Sequence, residues 1–109
     1  MNSYDVMVMG SGFAGMAASL FAARRGLRVA QAGAIGGIDF STGFIDLLAV
    51  HPLAEGCVWQ NPWEALTALR RDLPNHPYAR LTDQEIEEAL AEFTSFLGEQ
   101  GLCYTGTPD

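Results

Sequence analysis

The amino-acid sequence predicts an α/β fold: a parallel β-α-β unit followed by two helices and a short strand. Three observations predict it. Residues 6–9 read Val-Met-Val-Met, a continuous apolar run of the kind found in strands covered on both faces. That run feeds directly into Gly10-x-Gly12-x-x-Gly15. A helix-forming stretch, MAASLFAARR at 16–25, follows at once. Gly26 closes it as a C-cap, and Leu27-Arg28-Val29-Ala30 resumes as a second strand.

Each glycine has its own task in such a turn. Gly10 lets the backbone turn sharply at the end of the strand. Gly12 has no Cβ, so a pyrophosphate can approach the main chain. Gly15 lets the helix pack close to the strand, and the helix N-terminus then offers N–H groups and positive dipole to phosphate. The chain has 12 glycines, so the spacing alone carries little, and the strand before it and helix after it give it meaning. Residues 1–60 therefore read as a Rossmann-like, nucleotide- or flavin-binding βαβ segment. Residues 61–109 read as a helical segment with the start of a further strand.

After the second strand, Ala32-Gly33-Ala34-Ile35-Gly36-Gly37 reads as a flexible stretch. Residues 38–48 then mix small polar groups with bulky apolar ones. Exposed loops rarely carry so many large apolar side chains, so this block is expected to lie under a ligand or another part of the protein. Residues 52–60 form a connector without a clear period. Asn61-Pro62-Trp63-Glu64 supplies an N-cap, a proline at the first helical position and an acid at the third, for a helix ending near Asp72, before Pro74. Thr82-Asp83-Gln84-Glu85 is a capping box. Ile86, Ala89, Leu90, Phe93 and Leu97 then form one apolar stripe against a Glu-rich face. Gly101 is the expected C-cap, and Leu102-Cys103-Tyr104-Thr105 the expected strand.

Composition narrows the function classes. At 109 residues the chain is one small domain. Only two strands are evident before residue 60, so it reads as the N-terminal part of a longer protein. Six arginines, no lysine and 13 acids give a net charge of −7. Residues 1–60 hold three arginines against four acids, and residues 61–109 three against nine. That balance excludes a basic nucleic-acid or anionic-membrane surface. Cys57 and Cys103 lack metal-site spacing and fit a reducing compartment and packing roles. No metal site is expected. No signal peptide and no membrane-spanning apolar segment are evident, so any membrane association would come through a partner.

One element of an adenine-dinucleotide site is absent. An Asp or Glu is expected about 20 residues beyond the glycines, at the end of the second strand, to hold the ribose hydroxyls. Here that place falls at Gln31 to Gly33, where there is no carboxylate, and Asp39 comes too late unless the loop folds back. Gln31 offers a hydrogen bond but no bidentate diol clamp. The absence favours a cofactor without an adenosine, such as FMN, or no cofactor at all.

The chain resembles the N-terminal part of the subunit designated B of anaerobic glycerol-3-phosphate dehydrogenase, within the wider group of dinucleotide-binding flavoproteins. The resemblance rests on VMVMGSGFAGM, on RRGLRVA, on the block Phe40-Ser41-Thr42-Gly43-Phe44-Ile45-Asp46-Leu47-Leu48, and on His76-Pro77-Tyr78-x-x-Leu81. The first two are shared with many flavoproteins, whereas the third followed by the fourth is more specific. The resemblance implies a flavin-dependent subunit using FMN, with FAD the alternative. The implied reaction oxidises sn-glycerol 3-phosphate to dihydroxyacetone phosphate and passes electrons to quinone in anaerobic respiration. It implies two partners, a larger FAD-containing subunit and an iron–sulfur subunit that anchors the complex to the membrane. The implied location is cytoplasmic, peripheral at the inner membrane. Gly10, Ser11, Gly12, Phe13, Ala14 and Gly15 would line the phosphate cradle, and Ser41, Thr42 and Gly43 a second loop near the flavin.

Other residues carry plainer readings. His76-Pro77-Tyr78 fixes an extended turn, and His51 likewise precedes a proline. Asp46 sits in an apolar, helix-like run. Trp59 and Trp63 read as core or subunit contacts. Arg24, Arg25 and Arg28 have phosphate or a partner as candidate contacts. No catalytic residue is identifiable. Two rival functions stand beside the main one: a docking or electron-relay subunit that retains the fold, and an FAD- or NAD(P)-dependent enzyme of other specificity. The open strand edges and the apolar block further imply that the isolated chain self-associates.

Overall fold

The computed structural model describes residues 3–34 and 39–106. The chain divides into two compact units, Met1–Phe44 and Ile45–Asp109. The expected division after residue 60 thus falls inside the second unit. The reason is that residues 49–59 are bonded to one another and, through His51, to the helix that follows them.

The first unit is a parallel βαβ. Strand β1 (Val6–Met9) pairs in parallel with β2 (Val29–Ala32), with Val6 opposite Val29 and Met9 opposite Ala32, and helix α1 (Phe13–Arg24) connects them. Val6 and Val8 are half-buried, whereas Met7 and Met9 are exposed, so the apolar run is covered on one face only among the described residues. Helix α1 begins inside the glycine motif, earlier than its helix-forming stretch implied. It ends with two reverse bonds, Gly26 N–H to Ala23 O and Leu27 N–H to Ala22 O, with Gly26 in the left-handed region at φ 79°. Because Leu27 serves this cap, β2 starts two residues later than expected.

Asp5 and Arg28 lock the near ends of the two strands. Arg28 donates from Nε to Asp5 Oδ2 at 3.0 Å and from Nη2 to Asp5 Oδ1 at 2.8 Å, while its backbone N–H reaches Asp5 Oδ2 at 2.8 Å. Arg28 Nη1 also donates to Ser3 Oγ at 2.6 Å. These bonds from Arg28 hold the Asp5 carboxyl below the usual carboxylate range. Arg28 is therefore committed to register at the strand starts, not to a phosphate at the opposite ends.

The second unit carries helix α2 (Pro62–Asp72) and helix α3 (Asp83–Glu99). Both begin where their caps place them. Asn61 Oδ1 accepts from Trp63 N–H at 2.9 Å, and Thr82 and Glu85 form a reciprocal capping box. Ala65, Leu66, Ala68 and Leu69 of α2 and Ile86 of α3 are buried. Leu90, Phe93 and Leu97 continue the α3 stripe half-buried, while Ala89 is exposed. Between the helices His76 Nδ1 accepts from Tyr78 N–H at 3.1 Å and opens a 3₁₀ turn, Pro77–Arg80.

Three expectations are corrected here. Residues 102–105 form no strand, because among the described residues they have no strand to pair with. Residues 41–49 have no regular structure, and Asp46 is exposed in them rather than set in a helix. Cys57 and Cys103 are both exposed free thiols, not packing residues.

In the first unit Met9 is 89% exposed, Phe40 90% and Phe44 78%. Such surface tends to be covered by association. Light scattering on the isolated chain is expected to give a mass above that of the monomer; a clean monomer at high concentration would count against this.

Candidate functional site

The site is built where β1 runs out. Gly10 adopts φ 125°, a conformation open to glycine, and its N–H donates to Ala32 O at 2.7 Å, so the loop leaves β1 still tied to β2. Gly12 is the N-cap of α1 in extended conformation, with no side-chain cap bond and no acid in the first turn. The helical ladder opens with Met16 N–H to Gly12 O at 3.0 Å, so the amides of Ala14 and Gly15 lie ahead of it.

Two glycines of the motif meet opposite surroundings. A Cβ placed on Gly15 would fall on the Gly10 carbonyl, 2.8 Å from its carbon, so α1 rests directly on the end of β1. A Cβ on Gly12 would meet nothing within 4 Å. One glycine is required by packing, whereas the other leaves an open approach to the backbone. This is the division of labour that an anion cradle needs: donors at a helix start, positive dipole, and no side chain in the way.

The end of β2 closes the other side. Gln31 Nε2 donates to Gly10 O at 2.9 Å, and Ser11 Oγ donates to Ala34 O at 2.6 Å. A Cβ on Gly33 would stand 2.9 Å from Ser11 N and 3.0 Å from Gly10 C and Cα. The place where a ribose-binding carboxylate is expected is thus occupied by the chain's own loop. A side chain at residue 33 does not fit without movement.

Of the expected site residues, Gly10, Ser11, Gly12, Phe13, Ala14 and Gly15 form one continuous turn and helix start, joined by Gln31 and Gly33. Ser41, Thr42 and Gly43 form a separate turn, in which Gly43 N–H donates to Ser41 Oγ at 3.0 Å and Phe44 N–H to Thr42 Oγ1 at 3.3 Å. Sequence reasoning weighed Gln31 only as a ligand contact. Its bond to the loop spans 21 positions and leaves no local signal.

The second unit holds a polar pairing that the sequence did not announce. His51 is buried, and its Nε2 lies 3.0 Å from Asp72 Oδ2. Arg71 Nε donates to Asp72 Oδ1 at 2.7 Å. The Arg71 hydrogen bonds first, and the His51 bond second, lower the Asp72 carboxyl to about 2. As a carboxylate it only accepts, so His51 Nε2 carries the hydrogen. Trp59 Nε1 donates to His51 O at 2.6 Å, which gives Trp59 a structural role.

With the geometry established, comparison with known proteins decides the family. The profile described as an FAD binding domain matches residues 5–109. The chain belongs to this FAD binding domain family. It is also similar to proteins named as the subunit designated B of anaerobic glycerol-3-phosphate dehydrogenase, as the sequence motifs implied. It is 34% identical over 110 residues to that of Vibrio cholerae serotype O1, covering 100% of this chain and 25% of that protein. Identity is 31% over 108 residues with the Aliivibrio fischeri protein, covering 98% and 23%. It is 32% over 111 residues with the Haemophilus influenzae protein, covering 98% and 26%. The chain thus spans about a quarter of the length of these relatives. No solved structure gives a significant match. The family is that of an FAD binding domain, so it supports a flavin and gives no support to FMN as first choice.

Two outcomes are expected. Gly15→Ala should destabilise the chain by about 1–3 kcal/mol through overpacking on Gly10, whereas Gly12→Ala should cost less than about 1 kcal/mol; urea unfolding compares them. Asp72 titrates lower in the folded chain than its ordinary 3.8, so its stabilisation is complete above that value and is lost as pH falls toward about 2. Unfolding curves of Asp72→Asn should therefore show a shallower loss of stability across that window than wild type.

Proposed function

We propose that this chain supplies the phosphate-binding entrance of a flavin-dependent oxidoreductase subunit that acts on sn-glycerol 3-phosphate. The observation that carries the flavin reading is the open Gly12 at the start of α1, beside a Gly15 that packing requires. Membership of an FAD binding domain family supports FAD as the flavin. Gly10 to Gly15 would hold its diphosphate through backbone N–H groups and the helix dipole. Gly33 carries no carboxylate, so the ribose diol is left to other groups. Ser41, Thr42 and Gly43, with small side chains and backbone donors, would form the second loop near the flavin.

The names of the relatives support the substrate. Oxidation of its secondary alcohol to dihydroxyacetone phosphate removes two electrons and two protons. A bound flavin would supply the two-electron acceptor, and quinone in anaerobic respiration is the proposed final acceptor of the assembled protein. This chain's own part is to bind and orient. The word subunit in those names supports partners, proposed to be a larger FAD-containing subunit and an iron–sulfur subunit that anchors the complex to the membrane. The proposed location is cytoplasmic, at the inner membrane through those partners. No described helix is long and apolar enough to cross a membrane.

The exposed Met9, Phe40 and Phe44 favour a second reading, in which the fold is kept for docking or electron relay. Cofactor release from the subunit that contains this chain, purified with its partners, separates the two. FAD recovered from this subunit is the expected result. FMN would keep the cradle and shift the cofactor, and an empty subunit would favour docking. Gly12→Val is expected to lower flavin content more than about tenfold, because a branched side chain fills the phosphate approach; unchanged content overturns the cradle.

A further inference from the structure

We infer that Gln31 is the positioning residue of the glycine loop: its carboxamide fixes the Gly10–Ser11 peptide so that the loop and the first turn of α1 face a flavin phosphate. The inference rests on the flavin reading above and adds to it a residue outside the motif. Four consecutive residues, at the end of β2 and just beyond it, hold Gly10 and Ser11, and of their hydrogen bonds the one from Gln31 is made to the Gly10–Ser11 peptide itself. Gln31 Nε2 donates to Gly10 O at 2.9 Å, and Ala32 O accepts from Gly10 N–H at 2.7 Å. Gly33 leaves room for Gly10 and Ser11, and Ala34 O accepts from Ser11 Oγ at 2.6 Å.

Of these grips, the Gln31 bond is the one that a β2 side chain makes. It is also the one that a turn of this kind needs. Gly10, at φ 125°, has no Cβ to restrict its peptide plane, so an outside hydrogen bond decides which way its carbonyl points. With the carbonyl held toward Gln31 and Gly15, the Ser11 nitrogen lies close beside Gly33. The strand end that in other dinucleotide sites presents a carboxylate to ribose here presents an amide to the loop. Ligand contact is exchanged for preorganisation of the phosphate donors.

The test uses Gln31→Glu and Gln31→Met in the full chain, with FAD as the probe. FAD binding is followed by flavin fluorescence from about pH 8 down to about pH 5. Residues 6–23 and 29–34 carry no titratable side chain, so the introduced carboxyl would be the titrating group at this turn. In Gln31→Glu near pH 8, a carboxylate faces a carbonyl, acceptor against acceptor, and FAD affinity is expected to fall about tenfold. As the carboxyl gains its proton, its O–H donates to Gly10 O and affinity returns, a profile that wild type lacks. Gln31→Met is expected to stay weak throughout. A merely structural role would not titrate. Wild-type affinity in Gln31→Glu at all pH, or a loss that never recovers, overturns the inference. The Ser11 amide resonance of FAD-free protein is read in parallel. If wild type itself takes no FAD, the flavin reading fails alone. A Ser11 shift that is displaced near pH 8 and restored at low pH would then uphold the positioning, and an unmoved one would overturn it.

Discussion

The first unit depends on one steric fact: α1 starts in contact with the end of β1. A Cβ at residue 15 would strike the Gly10 carbonyl, so only glycine permits this approach. From it follow the direction of α1, whose N-terminus stands over the strand end, and the return of the chain to lay β2 beside β1. Gly10 N–H bonded to Ala32 O closes that end of the ladder, and the Asp5–Arg28 pair closes the other. Charge thus sits at the strand starts, while residues 6–23 carry none. The positive end of the α1 dipole therefore has no acid of its own first turn to answer it, which suits an anionic ligand.

The second unit is stabilised differently. Among the described residues its buried apolar set is small, Ala65, Leu66, Ala68, Leu69 and Ile86. Helix ends are fixed by their own caps, and the segment before α2 is fastened by polar bonds. His51 reaches Asp72 at the far end of α2, and Trp59 closes on the His51 carbonyl. A buried imidazole needs such a partner, and the carboxylate supplies it. The Arg70 guanidinium does similar work beyond α2, donating to Asp83 Oδ1 at 2.7 Å and to Leu81 O at 2.9 Å. That joins the end of one helix to the start of the next.

The exits of the two strands meet. One, Gly10 to Gly15, leaves open space at Gly12, and the other, Gln31 to Ala34, is bonded to Gly10 and Ser11. Membership of an FAD binding domain family is compatible with a strand end that lacks the acid, because the phosphate cradle and the diol clamp are separate devices.

Local rules were legible from the chain. The apolar run of β1, the glycine spacing, the Asn61-Pro62 start, the Thr82–Glu85 box and the glycines after α1 and α3 all act within a few residues. Their geometry therefore follows from sequence neighbours alone. The block at residues 40–48 was recognisable by resemblance, but its turn at Ser41–Gly43 and its lack of helix were not, because apolar composition does not fix a period. The failed strand at 102–105 shows the same limit, since a strand exists only by pairing. What tertiary structure decided lies between distant positions: His51 with Asp72, Arg28 with Asp5, and Gln31 with Gly10. In the last two, side chain and partner lie in or next to strands joined by a helix, so only the parallel return of the chain brings them within hydrogen-bonding distance. The sequence determined the glycine turn and the lack of a carboxylate at Gln31 to Gly33; the fold decided that the Gln31 carboxamide would bond to Gly10.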